Sequence, residues 1–163
     1  MKKLYIIRHA ISSWGNVQLK DFDRPLNDRG AAAAPEMGGR LLTAGIFPDI
    51  IISSPAVRAL TTSQLIASRF ENPVDIIEEP ELYHASTFSL LSKVNQISDK
   101  FDNVFLVGHN PGLTDFAEYL SNKQFGNLPT AAIVGISFEF DSWDLVSGST
   151  GHYFFYDYPK NDN

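Results

Sequence analysis

Residues 1–10 read MKKLYIIRHA, and the order of polarity within them decides how the chain is to be folded. Leu4, Tyr5, Ile6 and Ile7 form a short run of apolar, largely β-favouring side chains, which predicts a buried strand. The run stops at Arg8 and His9, two groups that are expensive to bury without partners. A strand end reaching the surface would account for both residues. A polar site built at the strand end would account for them too, and the rest of the chain has to distinguish the two.

Outward from that strand, strand-like and helix-like segments alternate, the pattern of an α/β layered fold. The polar stretch AISSWGNVQLKDFDRPLN, residues 10–27, is long for a connection inside a compact domain, and such loops are usually functional. A helix is predicted from Asn27 and Asp28 to a stop at Gly45, weakened by Pro35 and by the pair Gly38-Gly39, so kinked or begun late. PDIIISS supplies a second strand, around Asp49 to Ser53. Ser54-Pro55 then reads as an N-cap followed by proline at the first helical position, opening AVRALTTSQLIASRF. VDIIEE, TFSLLSKVNQIS and NVFLVGH read as a third strand, a third helix and a fourth strand, the last entering a helix at Asn110-Pro111 by the same device. GISFEF and HYFFYDY alternate as a strand pair, with an acidic turn region from Asp141 to Gly148 between them.

The composition narrows the function. With 163 residues and no internal repeat or linker, a single domain spanning residues 1–163 is expected. Hydrophobic residues at 44% and charged residues at 20% are those of a globular rather than a disordered chain. A net charge of -6 argues against a nucleic-acid partner, which would need a basic face. The chain has no cysteine, which removes disulfides, thiolate catalysis and cysteine-ligated zinc. The first apolar run is too short for a signal peptide or a membrane span, so the expectation is a cytoplasmic protein with no membrane partner.

Three strand ends carry polar groups of one chemical kind. The first ends at Arg8-His9, the second leads into SSPAVRA with Arg58, and the fourth ends at Gly108-His109-Asn110. Ligands of open α/β sheets collect outside the carboxyl ends of the strands, so these elements would place two guanidinium groups and two imidazoles around one crevice. That set suits an oxyanion: guanidinium forks match the oxygens of a phosphoryl group, and a neutral histidine is a competent nucleophile toward phosphorus. There is no aspartate cluster and no Walker-type GxxxxGK loop. His9 and His109 could join a carboxylate around a metal, but flanking arginines would repel a cation; no metal and no cofactor is expected.

Here the residues resemble a known family. RHA at the end of the first strand is similar to the RHG signature of the histidine phosphatase superfamily, and DFDRPLNDRG, SSPAVRA, ELYHAS, VGHNPG and LPTAAI follow in the order found in its short, SixA-like phosphohistidine phosphatases. The resemblance implies a phosphoglycerate-mutase-like three-layer α/β sandwich, with a mostly parallel central sheet and flanking helices. It also implies that His9 is the phospho-accepting nucleophile and that Arg8, Arg58 and His109 form the phosphate pocket. Two departures stand out: Ala10 replaces the signature glycine, and Trp14-Gly15-Asn16 stands where mutase-type members resemble WN. Larger members use a carboxylic acid after the third strand to protonate the leaving oxygen, and Glu81 in EEPELYHAS resembles that acid by position. They also carry an inserted lid that this chain has no residues to build.

The remaining polar residues have plainer readings. Arg24 is expected to pair with Asp21 or Asp23 and order the long loop. His84 and His152 read as surface or strand-edge residues, and Ser12 and Ser13 as common loop serines. The reading as a whole is a metal-independent phosphatase with a phosphohistidine intermediate on His9, acting on a phosphohistidine-bearing protein. The alternatives are a small phosphate ester as substrate, or a non-catalytic phosphate-binding module, which would have no need of a nucleophile.

Overall fold

The computed structural model describes residues 1–160. Strands β1 (Lys2–Arg8), β2 (Ile50–Ser53), β3 (Ile76–Glu78), β4 (Asn103–Gly108), β5 (Ile133–Phe138) and β6 (His152–Asp157) form one sheet in the order β3-β2-β4-β1-β5-β6. The first four run parallel to their neighbours, whereas β5 is antiparallel to β1 and β6 to β5. Helices α1 (Asp28–Thr43), α2 (Val57–Ala67), α3 (Thr87–Asn95) and α4 (Gly112–Ser121) connect them.

The apolar run of β1 has no polar alternation because both faces of the strand are covered. Leu4 and Ile6 pack with Leu90 and Val94 of α3 and Leu113, Phe116 and Leu120 of α4. Tyr5 and Ile7 point the other way, into Ala34, Met37 and Leu41 of α1 and Ala59 and Ile66 of α2. The result is the expected three-layer α/β sandwich of phosphoglycerate-mutase-like architecture. The central strands β2, β4 and β1 are successive neighbours, so their carboxyl ends open onto one place.

Helix α1 departs from the sequence expectation. It runs unbroken through Pro35, Gly38 and Gly39, capped at its start by Asn27 Oδ1, which accepts from Gly30 N at 2.9 Å. The glycines serve a close contact: a Cβ on Gly38 would lie 3.0 Å from the Ile66 carbonyl oxygen of α2, and one on Gly39 would meet the Arg69 guanidinium. Packing against α2 overrides weak propensity. Two other helix starts also shift. α2 begins at Val57, with Ala56 rather than Ser54 at its N-cap, although Ser54 Oγ still accepts from Ala56 N at 3.2 Å. α4 begins at Gly112, although Asn110 Oδ1 still caps it by accepting from Thr114 N at 3.1 Å.

Gly30 ties the fold to the loop that follows β1. A Cβ there would sit 2.1 Å from the Ile11 carbonyl oxygen, a backbone atom with nowhere to go. Gly30→Ala should therefore destabilise the protein by about 1–3 kcal/mol, despite alanine's better helix propensity, and lower its urea midpoint. An unchanged or raised midpoint would show that the loop yields freely.

Candidate active site

The carboxyl ends of β1, β2 and β4 open into a cleft of about 270 Å³. Arg8, His9, Arg58 and His109 all line it, together with Ser12, Trp14 and Arg24 from the loop after β1. Backbone pairing sets the first two. Arg8 lies opposite Gly108 in the β1–β4 ladder, and His9 N donates to Gly108 O at 3.0 Å. The ring centroids of His9 and His109 stand 5.2 Å apart.

His9 is 8% exposed. Its Nδ1 lies 2.7 Å from the Ala10 carbonyl oxygen, which can only accept, so Nδ1 holds the proton and Nε2 keeps its lone pair. Burial, and then the charges of Arg58, Arg8 and Arg24, push His9 down to about 4 against the pull of that carbonyl. Burial also pushes His109 down to about 3, with His9 and Arg58 adding to the shift. Both rings are therefore neutral near pH 7.

His109 Nε2 lies 2.8 Å from Ser54 Oγ, which already accepts from Ala56 N at 3.2 Å. Among the described residues, the buried side-chain nitrogens and oxygens without a hydrogen-bond partner are His109 Nδ1 and Arg8 Nε. Both belong to side chains lining the cleft. Arg8 is otherwise anchored, Nη1 donating to Leu128 O at 2.7 Å. Three guanidinium groups and two imidazole rings lining one cleft are suited to the oxygens of an anion.

Arg58 sits in the first turn of α2, as expected from SSPAVRA, and is 7% exposed. Arg24 pairs with Asp21, Nη1 to Oδ1 at 2.8 Å, as its sequence context suggested. It also does more than order the loop: it donates to Ser12 Oγ, lines the cleft, and lies under the Trp14 ring with Cζ 3.2 Å from the centroid. Glu81 is placed differently. It lies on the short turn Pro80–Leu82, 63% exposed and 3.5 Å from Lys93 Nζ, and is not among the residues lining the cleft. Among the described residues no carboxylate lines the cleft. Sequence reasoning did not find the roles of Ser54, which reads as a helix cap, or of Asp21 as a partner of Arg58.

A sequence profile of the histidine phosphatase superfamily (branch 1) matches residues 4–86, from β1 to the N-cap of α3. The chain belongs to this superfamily. A chloroplast protein of Arabidopsis thaliana, itself uncharacterized, is 28% identical over 162 residues, covering 92% of this chain and 72% of its own. A candidate phosphohistidine phosphatase SixA from Agrobacterium tumefaciens superposes with a TM-score of 0.82 at 26% identity, covering 97% of this chain and 99% of its own. The protein histidine phosphatase SixA complexed with tungstate superposes with a TM-score of 0.81, covering 96% of each chain; at 17% identity it shows the shared fold. The chain therefore has a SixA-like fold. Among its described residues no helix is long and apolar enough to cross a membrane.

The depressed histidines predict how stability follows pH. Both folded values lie below the ordinary 6.5, so below about that pH the unfolded chain binds more protons than the folded one. Their contribution is complete above about pH 6.5 and is lost as pH falls toward about 3. The melting temperature should decline between about pH 7 and pH 4, and His109→Gln should decline less steeply. Parallel declines in the two proteins would contradict the assignment of buried neutral rings.

Proposed function

We propose that this histidine phosphatase hydrolyses phosphohistidine on a protein, without a metal, through a phosphohistidine intermediate on His9. The observation that carries the reading is the convergence of the Arg8, Arg24 and Arg58 guanidinium groups on a cleft where His9 is neutral, with its proton held on Nδ1 by the Ala10 carbonyl and its Nε2 lone pair free. Phosphoryl oxygens in the cleft would be met by Arg8, Arg58 and His109. Three guanidinium groups lining the cleft would repel a cation, in keeping with a metal-free reaction.

The first step forms a bond from His9 Nε2 to phosphorus and breaks the P–N bond of a substrate ring protonated on its other nitrogen, so that the electron pair leaves on a neutral imidazole. One P–N bond replaces another, so the step is close to thermoneutral. His9 becomes cationic on attack, and the Ala10 carbonyl on Nδ1–H stabilises that charge while fixing the ring. Water then attacks phosphorus, the bond to His9 breaks, and phosphate leaves with His9 neutral again. Charge shifts among the phosphoryl oxygens throughout, where Arg8, Arg58 and His109 stand ready without reorganising.

The lining of the cleft favours phosphohistidine over alkyl esters. An alkoxide needs a proton from a general acid, and among the described residues no carboxylate lines this cleft. A phosphohistidine ring already protonated on its other nitrogen leaves as neutral imidazole and needs no acid at the scissile atom. If Glu81 were to act as acid, it would have to leave Lys93 and reach the cleft mouth.

Rates on free phosphohistidine, an aryl phosphate and an alkyl phosphate test this reading. The first two should turn over and persist in excess chelator, and the third should be slow. Label from the working enzyme, quenched in alkali, should sit on His9, and His9→Ala should abolish both turnover and label. Glu81→Gln should change phosphohistidine turnover by less than about threefold. Label on a serine or aspartate, or fast alkyl phosphate turnover lost in Glu81→Gln, would overturn the assignment.

A further inference from the structure

Two of the arginines in the cleft, Arg24 and Arg58, are held by one residue that does not line it. Asp21 Oδ1 accepts from Arg24 Nη1 at 2.8 Å, and Asp21 Oδ2 accepts from Arg58 Nη2 at 3.0 Å. The Asp21 backbone carbonyl takes Arg58 Nη1 at 2.7 Å. One residue thus grips the Arg58 guanidinium at both ends of its fork, which fixes the plane of the group. Three of the five guanidinium N–H groups of Arg58 remain for a ligand. Tyr83 closes the arrangement from the turn after β3, its hydroxyl donating to Asp21 Oδ2 at 2.5 Å. The Tyr83 ring stands edge-on to His109 at 5.4 Å, so the same residue reaches the opposite wall of the cleft.

We propose that Asp21 is a positioning residue, which aligns Arg58 and Arg24 for phosphoryl transfer by lying between their like charges. The proposal rests on the phosphatase reading above. An ordinary surface ion pair would join flexible, solvated side chains and contribute little. Here the carboxylate is partly exposed, but the side chains it holds are 8% and 10% exposed, for Arg58 and Arg24. Its carboxyl is held well below the usual carboxylate range by the Tyr83 hydroxyl, Arg24 and Arg58, so it stays ionised while the enzyme works. Remove that charge, and three guanidinium groups around one cleft lose the anion that separates two of them. Arg58 then keeps only the Asp21 backbone carbonyl of its two anchor points, and the plane of its guanidinium is no longer fixed. Displacement of a catalytic donor by about 1 Å typically costs on the order of a hundredfold in rate.

A double-mutant cycle on aryl phosphate turnover tests this. Asp21→Asn should lower kcat by about tenfold to a hundredfold. Its KM should change by less than about threefold, because lost alignment and one fewer negative charge oppose each other in ground-state binding. In an Arg58→Ala background the same substitution should cost several-fold less than it does in the wild type, since only Arg24 is left for Asp21 to position. Asp21→Glu, which restores the charge, should recover part of the rate. Should Asp21→Asn fail to fold, Tyr83→Phe serves the same cycle with a smaller expected loss, and melting temperatures distinguish misfolding from misalignment. Losses that multiply in the double variant, or an Asp21→Asn enzyme within threefold of wild type, would overturn the positioning role. A wild-type protein without turnover would instead overturn the phosphatase reading.

Discussion

The register between β1 and β4 is the constraint on which the rest of this structure depends. Arg8 lies opposite Gly108, and His9 N donates to Gly108 O. The two histidines therefore leave adjacent parallel strands at the same height. A slip of one residue would send every side chain of β1 to the other face of the sheet. It would exchange Leu4 and Ile6 with Tyr5 and Ile7 between two cores that are packed differently. The apolar packing that resists such a slip is therefore also what holds the imidazole rings at 5.2 Å. Stability and site geometry share one cause.

Concentrating three guanidinium groups at one end of a sheet is unfavourable in itself, and the structure distributes the burden among distinct partners. Arg8 gives one N–H to the Leu128 carbonyl, in the segment leading into β5. Arg58 and Arg24 share Asp21. The histidines contribute by remaining uncharged, since burial and the arginines themselves suppress their protonation. The cleft is consequently positive without being protonated further, a state in which one imidazole keeps a lone pair and the other a donor hydrogen. Both suit the phosphoryl transfer to His9 proposed above.

Thr62 shows how the walls of the cleft are joined below the surface. Its hydroxyl accepts from Ala10 N at 3.0 Å and donates to the Arg58 carbonyl at 2.7 Å, and the side chain is fully buried. The loop carrying His9 and the helix carrying Arg58 are thereby connected without contact with any ligand. Likewise, Ser54 fixes the orientation of His109 from the end of β2. The groups that would touch phosphate are few, and most of the polar chemistry around them serves to orient them.

Sequence alone determined the alternation of elements and the placement of Arg8, His9, Arg58 and His109 at one end of the sheet. It could do so because strand ends in a parallel sheet converge, and because apolar runs and helix signals mark those ends locally. It also showed Arg24 beside Asp21, three residues away. Only the tertiary structure decided that Asp21 holds Arg58, 37 residues distant, that Ser54 serves His109 across 55 residues, and that Trp14 covers Arg24. Such pairs lie on loops and turns, where side chains follow no period, and each depends on how separate segments close over the sheet. The same reason explains the unbroken α1 and the outward place of Glu81. The glycines of α1 make sense only against α2, and a carboxylate on a turn points wherever its nearest cation, here Lys93, draws it.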